Sequence, residues 1–212
     1  MTTKAEFLER VAARIGTGLP TNPARPVEPV ANDPIEYAID LSDPLAAFRN
    51  ATSALGVTVV DTDLDGLADV VRGVMPADGR IAFSDHPDLV GVRDQLAADF
   101  TIEEDHAPAS LSGCAVGVTT VRAAVALTGS IVIDSSVGGA RVVSLLPDLH
   151  LAVVRRDQIV PTPGDVLRPL GLPDHPLPSN LFFVSGPSRS ADIELQLTVG
   201  VHGPKEMMIA LV

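Results

Sequence analysis

Short, largely apolar runs recur along this chain, and all but the last are followed by a stretch long enough for a helix. Val57-Thr58-Val59-Val60, Ile81-Ala82-Phe83, Phe100-Thr101-Ile102, Ala115 to Val118, Ile131-Val132-Ile133, Leu151-Ala152-Val153-Val154, Leu181-Phe182-Phe183-Val184 and Met207 to Val212 read as strands. They do not alternate polar and apolar, so they are expected to be buried on both faces, as strands of parallel sheets are. Between them lie segments with helical signals. Asp43 is placed to cap a helix with Pro44 at its first position, running to about Leu55 before Gly56 stops it. Leu64 to Val71 reads as a second helix. Pro87 to Ala97 reads as a third, capped by Asp85 or His86. The rhythm predicts an α/β sandwich with a mostly parallel sheet.

Composition supports a core of that kind. Hydrophobic residues make up 46% of the 212, but aromatics only 3%, and there is no Trp. Val, Leu, Ile and Ala must therefore fill the interior, and base-stacking platforms for single-stranded nucleic acid are not expected. A formal net charge of -12 makes nonspecific attraction to nucleic acid or anionic lipid unfavourable. The single cysteine, Cys114, lies in a small apolar run and cannot build an iron–sulfur cluster or Cys-rich zinc site alone. No His/Cys cluster has metal spacing. No signal-peptide core or membrane-length apolar run is seen, so a cytoplasmic location is expected.

Organisation follows from proline. Lys4 to Ile15 reads as an amphipathic helix, with Phe7, Leu8, Val11, Ala12 and Ile15 at helical spacing. A connector with Pro20, Pro23, Pro26, Pro29 and Pro34 follows. Residues 1–42 are thus an arm and 43–212 the main domain. In the second half, Thr119 to Leu127 is expected to be a short helix. Ser135 to Gly139 is expected to be a loop leading into a helix that ends at Leu145.

Three regions carry candidate chemistry. The loop after Ile133 holds Ser135 and Gly138, whose backbone can cradle an anion, with Arg141 supplying positive charge. Ser185-Gly186-Pro187-Ser188-Arg189-Ser190-Ala191-Asp192-Ile193-Glu194 follows a strand. There Ser188 or Ser190 can cap a short helix, and Arg189 can hold a carboxylate or phosphate bidentately. Asp192 and Glu194 can pair with Arg189 or a partner chain. His202, in Gly200-Val201-His202-Gly203-Pro204, and His150, at a strand start, are the candidate proton-transfer groups. No role is read for His86, His106 or His175. Neither a Walker lysine nor G-x-G-x-x-G occurs here, so no nucleotide is implied.

The segments Ala126-Leu127-Thr128-Gly129-Ser130-Ile131-Val132-Ile133, Arg141 through Pro147-Asp148-Leu149-His150, Val153-Val154 with Asp157-Gln158-Ile159-Val160, Phe183 to Glu194 and Gly200 to Pro204 occur in order. Together they resemble the LUD-domain family. The resemblance implies a Rossmann-like three-layer sandwich of the NagB/RpiA/CoA-transferase-like type. It also implies a place in a system that oxidises L-lactate to pyruvate with iron–sulfur partner proteins. This chain would be the cluster-free component, binding no cofactor itself and offering its loops to a small carboxylate or a partner. The alternatives are a stand-alone isomerase, CoA-transferase or formyl-folate cycloligase-like enzyme, and a ligand-binding scaffold. The resemblance assigns no catalytic role to any one position.

Overall fold

The computed structural model describes residues 3–15, 39–136, 139–172, 177–191, 197–199 and 203–212. They fall into two units, 1–38 and 39–212. In the first, helix α1 (Lys4–Ile15) forms where the apolar spacing places it. Its entry is a reciprocal cap: the Thr3 N–H donates to the Glu6 carboxylate at 2.8 Å, and the Glu6 N–H donates to the Thr3 hydroxyl at 3.3 Å. The proline connector lies outside the described residues.

The second unit opens on α2 (Pro44–Ala54), whose Ala46 N–H donates to the Asp43 carboxylate at 3.0 Å. Strand β1 (Thr58–Asp61) follows, then α3 (Leu67–Val74), β2 (Arg80–Phe83), α4 (Pro87–Leu96) and β3 (Thr101–Glu103). The short helix α5 (Pro108–Leu111) leads to β4 (Val116–Thr120). Further on lie β7 (Leu149–Val154) and β12 (Glu206–Leu211), separated by elements given below. These six strands make one sheet in the order β1-β12-β7-β4-β2-β3. Every neighbouring pair is parallel. β12, the last strand in chain order, is seated between β1 and β7.

Burial on both faces explains the unbroken apolar runs. On one face Ile81, Phe83, Val116, Val118, Leu151, Val153 and Ala210 pack against Leu67 and Val71 of α3 and Leu89, Val92 and Leu96 of α4. The opposite face is covered in two parts. Ala82 meets Leu111 of α5, Cys114 and Val143 of α6 (Ala140–Leu145). Ala152, Val154, Ile209 and Leu211 meet Ala47 and Phe48 of α2 and the apolar side of a second sheet. Helix, sheet and mixed helix–sheet form the three layers. Gly117 shows how closely α6 sits: a Cβ there would lie 2.1 Å from the Val143 carbonyl oxygen.

That second sheet corrects one expectation. Thr119 to Leu127 is not helical. It completes β4, turns at Val121-Arg122, and continues as β5 (Ala123–Val125). β5 pairs antiparallel with β6 (Ser130–Asp134) and parallel with β8 (Ile159–Val160). β6 pairs antiparallel with β9 (Leu181–Val184), giving the order β8-β5-β6-β9. Val166 of α7 (Pro163–Leu167) packs on its outer face with Val125 and Val132. β5 itself is apolar at every position because both its faces are covered, which helical periodicity cannot reveal. A second correction concerns Ser188 and Ser190. Among the described residues no helix follows them. Arg189–Ala191 form β10, antiparallel to β11 (Leu197–Val199).

Candidate functional site

Parallel strands gather their exit loops at one edge, and ligands of open α/β sheets bind where neighbouring strands send the chain to opposite faces. β2 and β4 are such a pair. β2 continues into α4 on one face, while the connection from β4 to β7 brings α6 onto the other. At the carboxyl end of β2 lies a cavity of about 340 Å³, lined by Phe83, Ser84, Asp85, His86, Pro87, Leu89, Val90 and Arg93, all from the β2–α4 segment.

His86 lines this cavity, and His106 bonds to Phe83, another of its lining residues. His86 is the N-cap of α4, and its Nδ1 accepts the Asp88 N–H at 3.2 Å. Asp88 Oδ2 is 3.9 Å from the same nitrogen and 3.7 Å from the Arg155 guanidinium, which joins β7's exit to α4's start. His106 follows β3. Its Nε2 donates to the Phe83 carbonyl at 2.9 Å, and its Nδ1 is 4.0 Å from Asp85 Oδ2. Gly139 lies against this ring. It has a φ of 70°, and a Cβ there would lie 2.3 Å from His106 Nδ1. Glycine is required at that position both by its left-handed backbone and by the imidazole beside it. Two hydroxyls at the same strand ends, Ser84 Oγ and Thr120 Oγ1, are buried with no hydrogen-bond partner among the described residues.

Part of the loop singled out from the sequence lies against His106. Gly139 touches His106, and Arg141, exposed on the first turn of α6, makes no ion pair among the described residues. Ser135 is exposed and held by its neighbours: its hydroxyl accepts from Ser179 Oγ at 2.9 Å and from the Asn180 N–H at 3.1 Å. Gly138 lies outside the described residues. Asp134 anchors the loop. Burial opposes its ionisation, but the Ser136 hydroxyl and N–H and the Arg122 guanidinium at 2.6 Å outweigh that and hold its carboxyl below the usual carboxylate range.

A second cleft, of about 540 Å³, lies at the same edge beyond β1, β7 and β12. Asp63, Leu64, Asp65, Arg155, Arg156, Asp157 and Val212 line it. Its arginines are engaged: Arg156 pairs with Asp61 at 2.6 Å, and Arg155 with Asp88 and Asp157.

The remaining sequence candidates are placed elsewhere. His150, the second residue of β7, is fully buried. Its Nε2 is 2.9 Å from Thr119 Oγ1, and burial drives its pKa down to about 4. It is neutral near pH 7 and faces protein, not solvent. Gly186 and Ser188 lie toward the amino edge, opposite the clefts. The Ser188 N–H donates to the Pro204 carbonyl at 3.0 Å, and Lys205 N–H donates to the Asp148 carbonyl at 2.8 Å just before β7. Arg189 is described only as part of β10. Asp192, Glu194 and His202 lie outside the described residues. Cys114 is buried, which pushes its thiol pKa up. Among the described residues no group of three or more His, Cys, Asp or Glu is arranged to hold a metal.

His86 and His106 were missed because each is a lone histidine outside any motif. The available signal was position: both come shortly after an apolar run that ends a strand.

A family model for the LUD domain matches residues 30–212. The chain belongs to the LUD-domain family. Its curated relatives include the lactate utilization protein C of Exiguobacterium sp., 28% identical with 100% of this chain and 96% of the relative covered. That of Bacillus subtilis is 29% identical, with coverages of 97% and 94%. That of Deinococcus radiodurans is 39% identical over 52% of this chain and 49% of its own length. Among solved structures, a DUF162 family protein from Deinococcus radiodurans superposes with a TM-score of 0.55 at 22% identity, covering 82% of this chain and 99% of that one. It shows that the LUD fold described above is shared. The match to residues 30–212 takes in both clefts, the second sheet and the Gly186–Pro204 region.

Proposed function

We propose that this LUD-domain protein is a subunit of a lactate-utilisation system in the cytoplasm. In that reading it supports oxidation of L-lactate to pyruvate together with iron–sulfur partner proteins, and carries no cluster itself. The observation behind this is its end-to-end similarity to relatives named lactate utilization protein C, which it covers to 96% and 94% of their lengths. Chemistry supports the division of labour. One cysteine, buried, cannot ligate a cluster alone, so electrons would leave through partners. Small-acid handling would fall to the carboxyl edge of the sheet, where His86 and Ser84 line a cavity. No helix among the described residues is long and apolar enough to cross a membrane.

The test is lactate-dependent dye reduction by the two iron–sulfur partners, prepared anaerobically with and without this chain. Activity that requires the chain supports the subunit reading. Partners that reach full activity alone would overturn it and bring forward a separate enzymatic or ligand-sensing role.

A further inference from the structure

A sheet edge presents unpaired N–H and C=O groups, which recruit another strand unless charge, proline or shortness blunts them. The two larger sheets end in β1 and β3, and in β8 and β9. β1 ends at Asp61, whose carboxylate pairs with Arg49 and Arg156. β3 ends at Glu103, which pairs with Arg80 and is followed by Glu104-Asp105. β8 is only Ile159-Val160 and runs into Pro161. β9 has none of these protections. It is Leu181-Phe182-Phe183-Val184, without charge or proline, and among the described residues no strand pairs with its outer side.

Hydrogen bonds around β9 locate its free groups. The Ser135 N–H donates to the Asn180 carbonyl at 3.0 Å, so Asn180 turns that carbonyl toward the β6 side. Peptide groups alternate along an antiparallel strand, so Phe182 and Val184 turn theirs to β6, and Leu181 and Phe183 turn theirs outward. β6 agrees. Val132 stands opposite Phe183, and its carbonyl accepts the Arg122 N–H at 2.8 Å, on the side away from β9. Side chains alternate too. Phe182 packs into the core between the sheets, and Leu181 packs on the outer face with Val166. Phe183 shares that outer face and is 37% exposed.

Charge selects the occupant. At a net charge of -12, a second copy of the chain is repelled over most of the surface. Residues 176–188 carry no ionisable side chain, so two β9 strands meet without that repulsion between them. Geometry fits as well. Two identical strands paired antiparallel about a twofold axis at Phe182 set Leu181 of each opposite Phe183 of the other. Those are the residues with outward peptide groups, and both carry their side chains on one face, as cross-strand neighbours must.

We propose that β9 is the interface between two copies of this chain, which pair their β9 edges antiparallel and join their smaller sheets into one continuous sheet. The pairing uses up both β9 edges, and the far edge of each copy is the blunted β8, so the assembly closes at a dimer.

The experiment is sedimentation equilibrium of the full chain over a range of concentrations, with amide hydrogen exchange on the same samples, for wild type, Phe183→Lys and Phe183→Pro. The Phe183 N–H faces away from β6, so neither substitution removes a bond from the chain's own ladder. Unfolding midpoints establish that the variants are folded. Wild type should dimerise, and its Leu181 and Phe183 amides should exchange about tenfold or more slowly in the dimer than in the diluted monomer. The Phe182 amide, bonded to β6, should be protected in both. Each variant should raise the dimer dissociation constant about tenfold or more. The proposal is overturned if wild type stays monomeric, if it dimerises while the Leu181 and Phe183 amides still exchange freely, or if either variant dimerises like wild type. Protection of those two amides only on adding an iron–sulfur partner would also overturn it, because the edge would then take its strand from a different chain.

Discussion

His150 shows what burial does to a single side chain. Its imidazole is fully enclosed between strands and neutral, with a pKa of about 4 against an ordinary 6.5. The folded protein thus refuses a proton that the unfolded chain accepts below pH 6.5. Stability from this residue is complete above 6.5 and is lost as pH falls toward 4, by about 3 kcal/mol in all. Urea unfolding of wild type across that window should show the decline, and His150→Gln, which does not titrate, should show a flatter profile. Matching slopes would mean the ring is not held neutral. Gly117 offers a second test. A methyl group there would be 2.1 Å from the Val143 backbone oxygen, so α6 must lift off the sheet. Gly117→Ala should cost about 1–3 kcal/mol by overpacking, read from the urea midpoint. Because α6 carries Gly139 against His106, the substitution should also perturb the His106 ring resonances.

At the scale of elements, the ion pair between Arg122 and Asp134 ties the end of β4 to the end of β6, joining the two sheets at the crevice. Asp134 is nearly inaccessible, so removing its partner strands a buried charge. Arg122→Ala should destabilise by about 3 kcal/mol, and most of that should return in Arg122→Ala/Asp134→Asn. A double variant no better than the single one would show that the pair does not act as a unit. Caps should behave more mildly: Asp43→Ala, which removes the α2 cap, should cost about 1 kcal/mol. Elements also explain what the sequence could reveal. The α2 and α4 starts were legible because Asp43-Pro44 and His86-Pro87 are local signals that need no tertiary information. The stretch Thr119 to Leu127 was not legible, because alanine-rich runs suit helices and only the cover on both faces of β5 makes this one a strand. The Gly186 to Pro204 motif was legible as glycine- and proline-bearing chain after a strand, and its described ends meet in the Ser188–Pro204 bond. That its described part lies toward the amino edge was not, since edge placement depends on strand order.

For the whole molecule, parallel pairing decides where chemistry collects. Reading strands one by one singled out the loop after Ile133, whose Gly139 lies against His106. His86 and His106 come from two other exits, after β2 and after β3, and only the sheet order brings the His106 ring onto the end of β2. Several carboxylates across the surface, Asp61 and Asp165 among them, are held below the usual range by hydrogen bonds from Arg49 and Arg156, and from Thr162. Depressed carboxylates contribute stability above their unfolded pKa and lose it on acidification, the same direction as His150. Acid titration followed by circular dichroism should therefore show loss of structure beginning below pH 6.5 and steepening below pH 4.

The position of β12 has a consequence for the order of events during synthesis. Among the described strands β1 emerges first, yet its hydrogen-bonding neighbour is β12, which emerges last of them. Until residues 206–211 leave the ribosome, β1 has nothing to pair with and β7 presents a bare, apolar edge. A nascent chain of this design cannot fold progressively. It must wait, exposed to self-association and reliant on chaperones, for a closing strand that then completes the sheet in one step.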